Sequence, residues 1–258
     1  MLRSLYIATN SMDVQQAKLN TVSNNLANID TTGYKKNDVE IGNFPEALKL
    51  ALEAKGPAGK REIIGEANLG TMITKEVVIT SQGPLMETGS NTDFGLQGRG
   101  FFAVEDPDGE VLYTRDGSFY IDAEGNLLNG DGYPVLGEGG AITIEDPQHF
   151  LIKEDGTIVV GEGEDADEVD KLQITEFEDT SLLKKVDGNN YFMDPLGIGE
   201  PATETRVSQG SLEKSNVDLV KEVADMIATA RIYESSHKLI QVTDELLDKS
   251  INQVGRVK

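Results

Sequence analysis

Both ends of this chain carry apolar residues at a spacing of seven, and that spacing limits the fold more than any other feature. At the amino end Leu5, Met12, Leu19 and Leu26 stand seven apart, Ala8, Val22 and Ile29 fill most of the alternate positions, and Gln15 interrupts. Such a 3–4 alternation is the seam of a helix lying along another helix, as in a coiled coil. The carboxyl end repeats it at greater length: Leu219, Met226, Tyr233, Ile240, Leu247 and Val254, with Val223, Ala230, His237 and Ile251 between them and Asp244 also on the seam. Ile232, Leu239 and Leu246 add a second stripe, so this helix has more than one apolar neighbour to satisfy. The first helix is expected to stop near 28–33, where Asp30-Thr31-Thr32-Gly33 supplies turn formers and a glycine. Ser215 with Asp218 reads as a capping box opening the second.

Between the ends the pattern changes to short strands and tight turns. Phe101–Val104 and Val111–Thr114 flank Asp106-Pro107-Asp108-Gly109, whose proline and glycine fit a type I turn followed by a bulge. Ser118–Ile121 and Leu127-Leu128 flank Asp122–Gly125, and Leu151-Ile152 and Thr157–Val160 flank Lys153–Gly156. Three hairpin units in succession predict an antiparallel β domain. The fold class expected is therefore α+β, mainly β: an antiparallel β domain (81–200) inserted between an N-terminal helix (1–36) and a C-terminal helix (215–258) that together form one helical module. Residues 37–80 read as a connector, flexible at Gly56-Pro57-Ala58-Gly59 and returning as a strand over 72–80, and residues 201–214 read as the return connector. The acidic run Glu162–Asp170 reads as a solvated loop.

Charge follows the same division. The 258 residues carry a formal net charge of −22. Residues 81–200 hold 6 basic and 27 acidic side chains, whereas 1–36 and 217–258 together hold 10 and 9. A like-charged middle suits a surface facing water, and balanced ends suit surfaces that pack closely. The acidity excludes nucleic acid and anionic membrane as partners. Cysteine is absent, which removes disulfides, thiol catalysis and sulfur-based zinc sites. No apolar run is long enough for a membrane span, and the start Met1–Leu5 lacks the apolar core and cleavage site of a secretory signal, so any export is expected to use another route.

Sites of chemistry are sparse. An EF-hand reading of Asp122–Gly132 fails because Leu127 and Tyr133 stand where glycine and glutamate are required. Gly98-Arg99-Gly100 and Gly137–Gly140 complete no phosphate loop, and there is no Gly-x-Ser-x-Gly elbow. His237 reads as a packed core or interface histidine rather than a ligand, having no second metal-type residue spaced to help it. Asp244 has two readings: a register-setting carboxylate, or a seam turned toward solvent. No catalytic residue, metal ligand or cofactor is expected. Two rival classes remain, a β binding module dimerised by helical tails and, weaker, a carboxylate-dependent glycan hydrolase.

The segment Ser23-Asn24-Asn25-Leu26-Ala27-Asn28-Ile29-Asp30-Thr31-Thr32-Gly33-Tyr34-Lys35 resembles the amino-terminal signature of the flagellar basal-body rod and hook protein family. Ser81–Leu85, Gly98–Phe102, Tyr113–Phe119, Gln209–Asp218 and Met226–Glu234 resemble further motifs of that family, in its order and spacing. The length suits its FlgF/FlgG-type rod members, and Gly132–Thr143 with Ala224–Arg231 leans toward the FlgF branch.

The resemblance implies a non-enzymatic structural subunit of the rod, exported by the flagellar apparatus without signal cleavage. Copies of itself and neighbouring rod or hook proteins are the implied partners, and the basal body, in its periplasmic rod, is the implied location. Its terminal helices would line a hollow axial tube that transmits torque, with the β domain packed outside. Asn24, Asn25 and Asn28 then become candidates for bonding to neighbouring subunits, beside their local role in ending a helix. With the seam residues they complete the expected interface: Leu5, Met12, Leu19, Asn24, Asn25, Leu26, Asn28, Leu219, Val223, Met226, Tyr233, Ile240 and Leu247.

Overall fold

A computed structural model describes residues 2–43, 70–146, 149–161, 167–178, 180–187, 190–193, 199–202, 204–250 and 252. Two helices bracket the chain, α1 (Leu2–Ala27) and α2 (Leu219–Lys249). Between them run β1 (Lys36–Asn43), β2 (Thr71–Ile79), β3 (Leu85–Glu87), β4 (Phe94–Gln97), β5 (Gly100–Glu105), β6 (Val111–Thr114), β7 (Tyr120–Ile121) and β8 (Leu127–Leu128). These are followed by β9 (Leu136–Gly137), β10 (Gly140–Ala141), β11 (Phe150–Ile152), β12 (Thr157–Val160), β13 (Asp167–Lys171) and β14 (Ile174–Phe177). Then come β15 (Leu183–Asp187), β16 (Asn190–Met193), β17 (Gly199–Pro201), β18 (Arg206–Gln209) and β19 (Ser211–Glu213). The chain divides into two compact units, 1–24 with 37–77 and 220–258, and 25–36 with 78–219.

The second unit is built around a six-stranded sheet of order β15-β16-β6-β5-β14-β17, antiparallel throughout. Strand β5 is its spine, and Phe101-Phe102-Ala103-Val104 is buried on both faces. Side chains alternate across a strand, so neighbouring phenylalanines serve opposite cores. Phe102 and Val104 join Phe94, Phe119, Leu127, Ile144, Phe150 and Ile158 in the larger core, while Phe101 meets Phe177, Leu183 and Tyr191 in a smaller one. Edge-to-face rings tie both together: Phe102–Phe119 at 5.1 Å and Tyr113–Phe177 at 4.7 Å between centroids. The chain has few aromatics, and it concentrates them here.

The three hairpins form as expected, β5–β6, β7–β8 and β11–β12. Each closes on a glycine with positive φ, Gly109, Gly125 and Gly156. Asp106 Oδ1 accepts the N–H groups of Asp108 and Glu110, and Asp122 Oδ1 accepts those of Glu124 and Asn126. Asn129 repeats this with Asp131 and Tyr133, ahead of Gly132. The oxygens weighed for calcium are thus turned onto backbone N–H groups.

Four expectations need correction. Residues 167–170 of the acidic run are not loop but part of β13, paired with β12 through a bulge, because backbone pairing outweighs the charge of side chains that point to water. The return connector carries β18 and β19, which pair with β4 and β3. The first connector begins with a strand, β1, paired to β2; Gly56–Gly59 lies outside the described residues. Ser215 is not the cap of α2: its hydroxyl accepts the Val217 N–H, and Asp218 stands directly before the first helical residue.

Candidate assembly interface

In the first unit, α1 buries Ala8, Val14 and Val22 and half-buries Leu5, Met12, Leu19 and Leu26. Ser11 and Ser236 meet hydroxyl to hydroxyl at 3.3 Å. Ser11 lies 16 residues before Ala27 and Ser236 lies 17 after Leu219, the matched offsets of an antiparallel pair.

On α2 the seam is shifted by one residue from the sequence reading. Met226, Tyr233, Ile240 and Leu247 are half-buried as expected, but the buried positions between them are Glu222, Thr229 and Ser236. Val223 and Ala230 sit at the rim of this face, half-buried, and His237 and Asp244 are exposed. His237 Nε2 lies 3.2 Å from Gln241 on the same helix, so His237 is not packed in this chain's own core, and Asp244 belongs to a face turned to water. At Ser236 the short side chain lets the backbones approach, so its burial comes from the closeness of the helices rather than from apolarity. The periodicity could not separate the two faces, since small polar and apolar residues both recur at seven.

The apolar surface of α2 lies elsewhere. Val220, Ile227, Ile232, Leu239, Val242 and Leu246 are between 48% and 76% exposed, and Leu219 is 51% exposed. Ile232, Leu239, Val242 and Leu246 follow one another at helical spacing and contain the second stripe read from the sequence, while Val220 and Ile227 lie on an adjoining face. Asn24 is exposed and Asn28 half-buried, where it accepts the Thr31 hydroxyl. Asn25 is wholly buried, and its side-chain oxygen accepts the Tyr34 O–H at 3.1 Å. Asn25 thus bonds within its own chain.

Sequence reasoning missed the centre of the second unit. Glu213, at the end of β19, is fully buried and meets two buried cations: its Oε1 accepts Lys35 Nζ at 2.6 Å and its Oε2 accepts Arg115 Nη1 at 3.1 Å. Gly83 N–H also donates to Oε1, at 2.7 Å. Lys35 Nζ donates in addition to the Ser81 carbonyl, Arg115 Nη2 to that of Gly98, and the guanidinium lies 5.0 Å from the Phe101 ring. Burial pulls both Lys35 and Arg115 below their usual ranges, and Glu213 opposes that pull in each case. Removing the shared carboxylate would leave two buried cations uncompensated, at a cost of about 3–5 kcal/mol.

Close backbone approach holds the cluster. A Cβ on Gly83 would lie 2.0 Å from the Lys214 carbonyl oxygen, and Gly33 N–H donates to the Glu213 carbonyl at 2.8 Å. Around it, Thr32 donates to Asp116 Oδ1 at 2.7 Å, and Asn216 receives the Lys36 N–H and donates to Ile79 and Ser81. Five of the segments that carried the resemblance, 23–35, 81–85, 98–102, 113–119 and 209–218, therefore converge on one buried carboxylate. The available signal was a charged residue two or three positions from a glycine in three of these motifs, Lys35 after Gly33, Arg115 before Gly117 and Glu213 after Gly210.

Comparison with known proteins agrees with this convergence. Residues 5–35 match the family described as flagella basal body rod protein, 95–160 the flagellar hook protein FlgE/F/G D1 domain, and 208–254 the flagellar basal body rod FlgEFG protein C-terminal region. The chain is 35% identical to the flagellar basal-body rod protein FlgG of Bacillus subtilis, over 98% of its own length and 99% of the relative's. It is 34% identical to FlgG of Agrobacterium fabrum, over 95% and 97%. It is 31% identical to the flagellar basal-body rod protein FlgF of Caulobacter vibrioides, over the whole of both chains. Overall identity thus lends no weight to the FlgF leaning of residues 132–143.

Proposed function

The chain belongs to the flagellar basal-body rod protein family, as a structural subunit of the flagellum, and from this we propose that it builds the rod by stacking on copies of itself through its terminal helices. The observation that carries the proposal is the exposed stripe of α2. Covering a half-exposed leucine or isoleucine recovers about 1 kcal/mol, so the six residues Val220, Ile227, Ile232, Leu239, Val242 and Leu246 make a substantial driving force if a neighbour covers them. The seam residues Leu5, Met12, Leu19, Leu26, Val223, Met226, Tyr233, Ile240 and Leu247 hold the helical module in shape, with Leu219, Asn24 and Asn28 at its edges. The stacking contact is heterologous, one face on a different face, since that arrangement propagates an open helix. Neighbouring rod or hook proteins, delivery through the flagellar export apparatus without signal cleavage, a place in the periplasmic rod, torque transmission and the lack of an enzymatic role belong to the same reading.

The test is Leu239→Asp, paired with Leu247→Asp. Leu239→Asp, on the exposed stripe, is expected to leave the folded subunit intact and to abolish its incorporation into basal bodies. Leu247→Asp, on the packed face, is expected to disturb the helical module itself. Normal basal bodies and swimming in cells carrying Leu239→Asp would overturn the proposal.

A further inference from the structure

Residues 31–36 are attached to the β unit in an unusual way. The larger core draws its members from residues 94–207, and none of the described residues 25–36 contributes to it. The contacts that hold 31–36 in place are mostly polar: Thr32 to Asp116, Gly33 to the Glu213 carbonyl, Lys35 to the Glu213 carboxylate and the Ser81 carbonyl, and Lys36 to Asn216. Tyr34 adds a fully buried ring, with Lys185 Nζ 4.3 Å from its centroid and its O–H donated to Asn25. A segment docked by hydrogen bonds around one buried ammonium depends on the counter-charge that keeps the ammonium buried.

We infer that residues 31–36 form a strap latched by Glu213, able to detach from the β unit while the main core stays folded. Glu213 is suited to this because one carboxylate serves two cations. Arg115 belongs to the body of the unit and stays beside the carboxylate when the strap leaves, so opening separates Lys35 from Glu213 without stranding Glu213. Once water reaches it, the Lys35 ammonium is solvated and its burial cost disappears. Opening therefore gives up one ion pair, a few hydrogen bonds and the burial of one ring, Tyr34, whereas opening the aromatic core would expose Phe94, Phe102 and Phe150 together. The strap is also the covalent link between α1 and β1, so its state sets how tightly the end of α1 is tethered.

Amide exchange on the full chain tests this. In Glu213→Gln the amides of Gly33, Tyr34 and Lys36 are expected to lose protection by at least about 100-fold, the factor that follows when a buried pair loses one partner. Those of Phe102, Val104 and Leu112 are expected to stay within about tenfold of the native protein. Adding Lys35→Met to Glu213→Gln removes the stranded ammonium and is expected to restore at least about tenfold of the lost protection. Unchanged protection at 33–36 in Glu213→Gln would overturn the latch. Equal loss in the core strands, or outright failure to fold, would overturn the claim that the strap opens separately. Failure of the Lys35→Met double variant to restore protection would overturn the assignment of the latch to the Lys35–Glu213 charge pair.

Discussion

Gly33 and Asp116 lie so close that a Cβ on Gly33 would stand 2.3 Å from the Asp116 backbone nitrogen. Gly33 also holds φ at +65°, the left-handed region. The residue that ends the family's amino-terminal turn is thus pressed against the Tyr113–Phe119 motif, backbone to backbone.

Gly33→Ala should therefore be severe for two independent reasons. The conformation alone costs roughly 1 kcal/mol, and the collision cannot be relieved by rotating a side chain. The expected result is a loss of at least about 2 kcal/mol in urea unfolding, with Gly33→Ser no better. A midpoint within error of the native protein would refute the close approach.

Tyr34 and Asn25 give a milder case. Tyr34→Phe deletes the hydrogen bond to the buried Asn25 oxygen while keeping the ring beneath Lys185, and should cost about 1–2 kcal/mol. Asn25→Ala should cost at least as much. The double variant should cost less than the sum of the two, by about 1 kcal/mol. Strict additivity in denaturant titrations would mean that the two residues act separately.

Asp116 supplies a pH dependence whose sign is fixed. Burial raises its carboxyl above the usual 3.8, helped by the nearby Asp131 and Asp93 and opposed by the bonds from Thr32 and Ser118. The folded state therefore holds this proton more tightly than the unfolded chain. Its contribution to stability is present below about pH 3.8 and is lost as pH rises through the raised folded value. Asp116→Asn keeps an oxygen for Thr32 and Ser118 and removes the charge. Relative to the native protein, Asn should be more favourable at pH 7 than at pH 3; the reverse ordering in thermal melts at those two values would contradict the assignment.

The helical seam predicts that adding apolar volume does harm. Ser236 is buried against Ser11, so Ser236→Leu should lower the stability of the helical module by about 1–3 kcal/mol despite raising its hydrophobicity. Ser235→Leu, on the exposed side, should change it by no more than about 0.5 kcal/mol. Thermal melts followed by the helical circular dichroism signal compare the two.

The sequence was legible where one local rule decides the outcome. Phe101–Val104 had to be a buried strand, and Asp106–Gly109 had to turn, because proline and glycine leave few alternatives. Legibility failed where backbone proximity decides. Thr229 and Ser236 look like solvent residues in any hydropathy pattern, yet both are buried, Ser236 against Ser11 of another helix. Glu213 looks like one more acid in an acidic chain. Its role depends on Lys35 and Arg115, which lie 178 and 98 residues away along the chain, a pairing that no local window contains.

Asp106, Asp122 and Asn129 each organise a turn through the same pair of backbone N–H bonds, two and four residues on. Asp106 and Asn129 make this turn with an anionic and a neutral side chain alike, whereas Asp122 Oδ2 also accepts the Asn126 side-chain N–H at 2.9 Å and so calls for a carboxylate. The charge of Asp106 is therefore exchangeable as far as its turn goes. Asp106→Asn would keep this loop and shed one negative charge. The Asp106 carboxylate thus adds to the surface potential without its turn requiring it, a contribution to the forces between molecules rather than within one.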